Sequence, residues 1–358
     1  MKRFFLSGVI FLFFAPIQYA QENKGGEVIS RQFLAVSIQN NKGDEDAMRN
    51  VSVYLPPDYH TSQEKYPTIY FLHGFATDDL EIFQWLGLKQ LLDKAIETKK
   101  IRPVILVVPN SKTKFGGSFY TNSHLIGNWS DFIAKDVVEY IDTNYRTLAS
   151  RENRGLSGHS MGGNGALKIA MLFPEIFSIV YAMSPAVLDW SKDFTLENPG
   201  FKRISESNEK EILEGLVNPR EQDGFTAFYA AVIASMARAY ATSENANFKE
   251  ISPIYYENNK PKVNESVKKI WENNFPINMI DHHLQALKSL KAIKMDWGRN
   301  EDFDHVPHTA LAFSKKLEDH KIVHFSEEYL GDHVNKLDGF DGRIYSDMLP
   351  FFEFYFGK

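Results

Sequence analysis

Apolar and polar positions along the chain fall into short β-rich runs separated by longer stretches of helical period. Eight runs read as strands: 31–38, 50–55, 68–72, 104–108, 154–157, 178–183, 292–297 and 322–329. The first two flank an acidic, polar stretch that suits a hairpin. From Thr68 onward the runs are almost continuously apolar, as in strands covered on both faces. Helical patterns lie between them at 86–99, 129–144, 160–173, 284–290 and 306–320. Strand and helix in alternation predict a mostly parallel central sheet with helices on both faces, an α/β architecture. One interval breaks the rhythm. Between about 190 and 280 no strand is evident; helical patterns at 205–216 and 225–241 and a Pro/Asn/Lys-rich loop at 252–262 predict a helical insertion capping the sheet.

The strand-to-helix junction after 154–157 carries Gly158-His159-Ser160-Met161-Gly162-Gly163. In this context a Gly-x-Ser-x-Gly sequence reads as a sharp turn that lifts a serine hydroxyl clear of the backbone and sets it at a helix N-terminus. Side chains two before and two after the serine would strike backbone, which Gly158 and Gly162 avoid. Ser160 is thus the candidate nucleophile. An oxyanion hole needs two backbone donors. The amide of Met161 and that of Phe75, in the loop His73-Gly74-Phe75 closing the strand 68–72, are the candidates.

A base and an acid are expected later in the chain. Of eleven histidines, His333 follows the last strand in the turn Gly331-Asp332-His333 and is the candidate base. The acid falls in the loop after 292–297, where Glu301, Asp302 and Asp304 crowd together. Asp302 is preferred, Glu301 is the alternative, and Asp304 comes last. His305, His308, His320 and His324 are read as surface or core residues. Asp302, Asp304, His305 and His308 are too close on one loop to make a convincing metal site. Ser118, Tyr120, Asn122, Asn128 and Trp129 are candidate substrate contacts, foremost Tyr120, Asn128 and Trp129. The apolar helix 225–241 is placed as a roof over an acyl pocket.

Taken with Val53-Tyr54-Leu55-Pro56-Pro57-Asp58-Tyr59, Tyr66-Pro67, Gly117-Ser118-Phe119-Tyr120, Tyr140-Ile141-Asp142 and Tyr145-Arg146-Thr147, these motifs carry a resemblance from about residue 28 to the C-terminus, the insertion excepted. The chain resembles the esterase family of α/β-hydrolases that includes S-formylglutathione hydrolases, feruloyl and acetylxylan esterases and enterochelin esterase-like proteins. The resemblance implies an α/β-hydrolase fold over 21–358, a Ser-His-acid triad, an acyl-enzyme and no cofactor or metal. In such relatives the acid often lies three or four residues after a glycine, which fits both Glu301 and Asp302 from Gly298.

Composition narrows the partners. Forty basic against forty-six acidic residues leave a net charge of −6, contrary to a nucleic-acid binder. The absence of cysteine removes disulfides, thiolate metal sites and lipid attachment through sulfur. Lys2 and Arg3 precede an apolar run from Phe4 to Phe14 that ends before Tyr19-Ala20, the pattern of a cleaved signal peptide over 1–20. That run is too short to span a bilayer, so a secreted or periplasmic protein without stable membrane insertion is expected. Export argues against a cytosolic thioester substrate and favours a polysaccharide-linked feruloyl or acetyl ester, or a siderophore ester. The alternatives are an acyltransferase of the mycolyltransferase type and a non-catalytic binding protein on the same scaffold.

Overall fold

The computed structural model describes residues 25–217, 225–244 and 247–357. The signal segment expected over 1–20 lies outside the described residues. Among these, no helix is long and apolar enough to cross a membrane.

Eight strands form the central sheet: β1 (Glu27–Leu34), β2 (Met48–Leu55), β3 (Thr68–Leu72), β4 (Ile105–Pro109), β5 (Arg154–His159), β6 (Ile179–Met183), β7 (Ala292–Gly298) and β8 (Phe325–Tyr329). Their spatial order is β1-β2-β4-β3-β5-β6-β7-β8. β2 runs antiparallel to both β1 and β4, and every pairing from β4 to β8 is parallel. The reason is written in the residue types. β3, β4, β5 and β6 are buried at every position; β3, β4 and β6 meet this with nearly continuous Ile, Leu, Val, Tyr and Phe runs, as helices on both faces require, and β5 with the small residues of Arg-Gly-Leu-Ser-Gly-His. β8, Phe-Ser-Glu-Glu-Tyr, is mostly exposed and closes the sheet as a polar edge.

The chain leaves β3 for β4 in one direction and β5 for β6 in the other. Between β3 and β5 the winding therefore reverses, and the loops at their carboxyl ends part to leave a crevice. Register fixes what meets there. Leu72 pairs with Gly158, so His73, the first residue past β3, comes beside His159, the last residue of β5.

The interval 190–280 differs from its expected form. Helices Pro199–Glu206, Glu209–Val217, Thr226–Ala239, Phe248–Ile251 and Glu265–Asn274 are present, but Ile254–Glu257 and Lys260–Val263 pair as an antiparallel ribbon. Asn258 and Asn259 both take positive φ, 51° and 61°, the turn that a two-residue hairpin needs and Asn tolerates. The polar composition that read as a loop is that of an exposed ribbon. Its strand Lys260–Val263 is open to solvent throughout, and four residues with a proline among them are too few to announce a strand.

Candidate active site

Gly162 shows why the turn after β5 is built from these residues. A Cβ on Gly162 would stand 1.9 Å from the Leu72 carbonyl oxygen, and one on Gly158 would stand 2.4 Å from the Gly162 oxygen. The helix Met161–Leu172 thereby approaches β3 within backbone contact. Between the two glycines Ser160 is held at φ 58°, ψ −118°, a conformation that costs a non-glycine residue ~1–3 kcal/mol. The surroundings hold it there: the Ser160 amide donates to the Met183 carbonyl at 3.0 Å, and the Ser160 carbonyl accepts from Ala186 and Asn164, each at 3.1 Å. Gly162→Ala is expected to destabilise the fold by ~3 kcal/mol, the upper end for overpacking, because the atoms it meets are backbone. A urea titration checks this, and an unchanged midpoint would contradict the close approach.

The loop after β3 is pinned from below. His73 is fully buried. Its Nδ1 donates to the Gly74 carbonyl and its Nε2 accepts the Ser111 amide, both at 2.8 Å. Burial holds the ring's pKa down to about 4, consistent with the neutral tautomer that these two bonds require. Tyr120 adds a strut, its hydroxyl donating to the His73 carbonyl at 2.9 Å. A Cβ on Gly74 would lie 3.7 Å from the Ser160 Cβ, so the Phe75 loop runs past the serine. Met161 is the first helical residue, and first-turn amides have no partner within their own helix.

His333 comes to the same place from the far end of the chain. Asp332 Oδ1 accepts the Val334 and Asn335 amides, and Asn335 Oδ1 accepts the Asp332 amide. This closed turn presents the His333 ring. The His333 carbonyl accepts from His159 Nε2 at 2.8 Å, and the two rings lie 4.7 Å apart. A carbonyl can only accept, so His159 carries its proton on Nε2. Burial, then the neighbouring His333 and Arg343, hold His159 well below the ordinary histidine range. The residue before Ser160 thus fastens the histidine turn to the elbow.

The carboxylate on His333 is that of Glu301. His333 Nδ1 stands 2.5 Å from Glu301 Oε2, while Glu301 Oε1 accepts the Gly298 amide at 3.0 Å. Burial acts to raise the Glu301 pKa. The hydrogen bond and charge of His333, with Ser184 and the Gly298 amide, outweigh it and hold the group below the usual carboxylate range. Asp302, the preferred residue in the sequence reading, is exposed, and this corrects that preference. The cause is the tightness of the turn. Asn300 donates to the Gly331 carbonyl at 2.9 Å, and a Cβ on Gly298 would sit 2.5 Å from the same oxygen. With the two loops this close, the third residue after the glycine faces His333 and the fourth faces water.

Phe75, Phe119, Met161, Ala186, Val187, Phe228, Tyr229, Val232, Phe303 and His305 line a narrow cleft together with Ser160. Phe228, Tyr229 and Val232 come from the helix Thr226–Ala239, within the segment expected to cover an acyl pocket. The proposed substrate contacts Tyr120, Asn128 and Trp129 are a second correction, since none of them lines this cleft. Tyr120 and Trp129 are fully buried, and the Trp129 Nε1 donates to the Ile126 carbonyl at 2.8 Å. Asn128 is exposed in a different, polar depression with Asn40, Asn41 and His124. Aromatic residues so close before the elbow resemble subsite residues in sequence, but here their rings support the loops.

Among the described residues no group of three or more His, Asp or Glu side chains is placed to hold a metal ion. His308 turns to the Asp304 carbonyl and His305 to Asp193. His305, read as a surface or core residue, is buried, and it also lines the cleft. Its partner lies 112 residues away in the sequence, so no local pattern signals the pairing.

The switch-point crevice, the strained serine turn and the eight-stranded sheet define an α/β-hydrolase. The chain belongs to the family described as "Putative esterase", whose model matches residues 46–343. It is 37% identical over 154 residues to an esterase of Mycobacterium tuberculosis, a match covering 41% of this chain and 31% of that protein. An endo-1,4-beta-xylanase/feruloyl esterase of Xylanibacter ruminicola is 31% identical over 141 residues, covering 36% of this chain and 18% of the relative. The chain thus spans less than a third of the length of these two relatives. Among solved structures, a ferulic acid esterase superposes with a TM-score of 0.63 at 18% identity, over 93% of this chain and all of the other. An S-formylglutathione hydrolase of Staphylococcus aureus gives 0.58 at 16% identity, over 91% and 99%. These likenesses establish the fold.

Proposed function

We propose that the protein is a serine carboxylic-ester hydrolase with Ser160 as nucleophile, His333 as general base and acid, and Glu301, in place of Asp302, as the orienting carboxylate. The observation that carries this reading is the Glu301–His333 pair, tied through His159 to the turn that bears the strained Ser160. Glu301 fixes the proton of His333 on Nδ1 and leaves Nε2 to take the Ser160 proton as Oγ bonds to the ester carbonyl. The Met161 and Phe75 amides receive the oxyanion, each such donor being worth ~3 kcal/mol. Collapse breaks the bond to the alcohol, which leaves with the proton from His333. Water, deprotonated by the same ring, then releases the acid and restores Ser160.

The cleft supports an aromatic acyl group over acetyl. Four phenylalanine rings surround a narrow space, and such a surface gains little from a two-carbon acyl. Names among the similar proteins, ferulic acid esterase and a feruloyl esterase module complexed with sinapinate, agree with that preference. The apolar run at residues 4–14 supports export and with it a polysaccharide-linked ester as the natural substrate. Purified protein is expected to release ferulate from methyl ferulate at a higher kcat/KM than acetate from the matching acetyl ester. The reverse preference, read by chromatography of the released acids, would remove the aromatic acyl assignment.

A further inference from the structure

Two polar side chains of the cleft, His305 and Tyr229, take no part in the proposed chemistry. His305 is 2% exposed, lines the cleft with Ser160, and directs Nδ1 at Asp193 Oδ1, 3.1 Å away. The Asp193 carboxylate also accepts the His305 backbone amide at 2.7 Å and the Tyr229 hydroxyl. Three donors fix Asp193, and Asp193 fixes the ring. His305 Nε2 is left buried with no hydrogen-bond partner. A polar atom stranded in an apolar cleft costs ~1–3 kcal/mol, and a ligand that pairs with it recovers that cost.

The chemistry of the missing partner follows from the ring. With the proton on Nδ1, bare Nε2 accepts; with both nitrogens protonated, Nε2 donates. A hydroxyl satisfies either state, since it both donates and accepts. The walls specify what carries the hydroxyl. Phe228 stacks on Phe303 at 5.5 Å, Phe75 meets Phe228 edge-on at 5.6 Å, and Phe303 touches both His305 and His333 at 6.1 and 4.9 Å. A planar ring fits such walls better than a branched chain.

We propose that His305, oriented by Asp193 and Tyr229, determines specificity by hydrogen-bonding a hydroxyl on the ring of an aromatic acyl group. The proposal rests on the esterase reading and adds to it which acyl groups are accepted. The test compares methyl 4-hydroxycinnamate with methyl 4-methylcinnamate, which replaces the hydroxyl by a methyl of similar size. The native enzyme should favour the hydroxy ester by ~10-fold or more in kcat/KM. In His305→Leu the ratio between the two esters should fall to about one, and in His305→Gln, which keeps a hydrogen-bonding group, part of it should survive. The ratio is taken within each protein, so a general loss of activity cancels. A native ratio near one, or a ratio unaltered in His305→Leu, overturns the proposal. Calorimetric binding of the two free acids to Ser160→Ala protein decides the same point without turnover. There, tighter binding of the hydroxy acid supports the role of His305 even if neither ester is hydrolysed, an outcome that would instead remove the esterase reading. Equal binding overturns the proposal.

Discussion

Ser160→Ala is expected to lower turnover of a p-nitrophenyl ester by ~10⁶-fold while the far-UV circular dichroism spectrum stays that of the parent protein. The size of the effect follows from what Ser160 contributes and what it does not. Its Oγ makes the covalent bond, so its loss removes the acyl-enzyme route altogether. Its backbone makes the turn: the amide bond to Met183 and the carbonyl bonds from Ala186 and Asn164 are main-chain interactions that alanine retains. Alanine inherits the strain at φ 58° and gains no new contact. Residual catalysis of ~10³–10⁴ over water should persist, because the oxyanion donors and the cleft remain. Stopped-flow release of p-nitrophenolate reads both quantities. A variant rate within tenfold of the parent would place the nucleophile elsewhere.

The strands legible in the sequence are those whose environment forces a composition on them. β3 matches its expected bounds of 68–72, and β4 and β6 lie within one residue of theirs, because burial on both faces leaves nearly only apolar choices; β5, Arg-Gly-Leu-Ser-Gly-His, runs two residues past its expected end, its small and polar residues giving no apolar run to mark it. The serine turn was legible for a different reason: Gly158 and Gly162 stand where any side chain would strike backbone, so the constraint is written at fixed spacing. The edge strand β8 was placed, but its start was read three residues early, since Ile322 and Val323 are apolar without belonging to the ladder. The expected helix over 86–99 is Leu88–Glu97, and a further helix, Asp79–Trp85, precedes it where none was expected. Asp78 and Glu81 form a capping box at the start of that earlier helix, and Gly87 takes positive φ between the two helices, a break that apolar periodicity cannot register. The Asp193–His305 pair was invisible because its partners lie 112 residues apart, and the 254–263 ribbon because its exposed polar strands read as a loop. Tyr120 and Trp129 show the opposite error. Their residue types suit a binding site, but hydrogen bonds to the His73 and Ile126 carbonyls commit them to the scaffold.

The acid shows how far spacing alone carries. Counting from Gly298 left Glu301 and Asp302 equally placed, and only a contact between loops whose meeting residues, Glu301 and His333, are 32 positions apart separates them. Glu301→Gln is therefore expected to lower kcat by ~10⁴-fold, the cost of presenting the base in the wrong tautomer, and Asp302→Asn by less than about threefold. The argument turns on the second oxygen of Glu301. Oε1 accepts the Gly298 amide at 3.0 Å, and in the glutamine variant the amide oxygen must take that position, since an NH₂ group there would face a donor. The NH₂ then points at His333 Nδ1, which can meet it only as an acceptor. The imidazole proton moves to Nε2, and the nitrogen that should receive the Ser160 proton is already occupied. Glu301→Gln keeps the size of the side chain and the bond to Gly298, so thermal unfolding should shift little while kcat collapses. Parallel single-turnover measurements on the two variants decide the matter. A larger loss in Asp302→Asn than in Glu301→Gln would mean that the exposed carboxylate swings onto His333 when substrate binds.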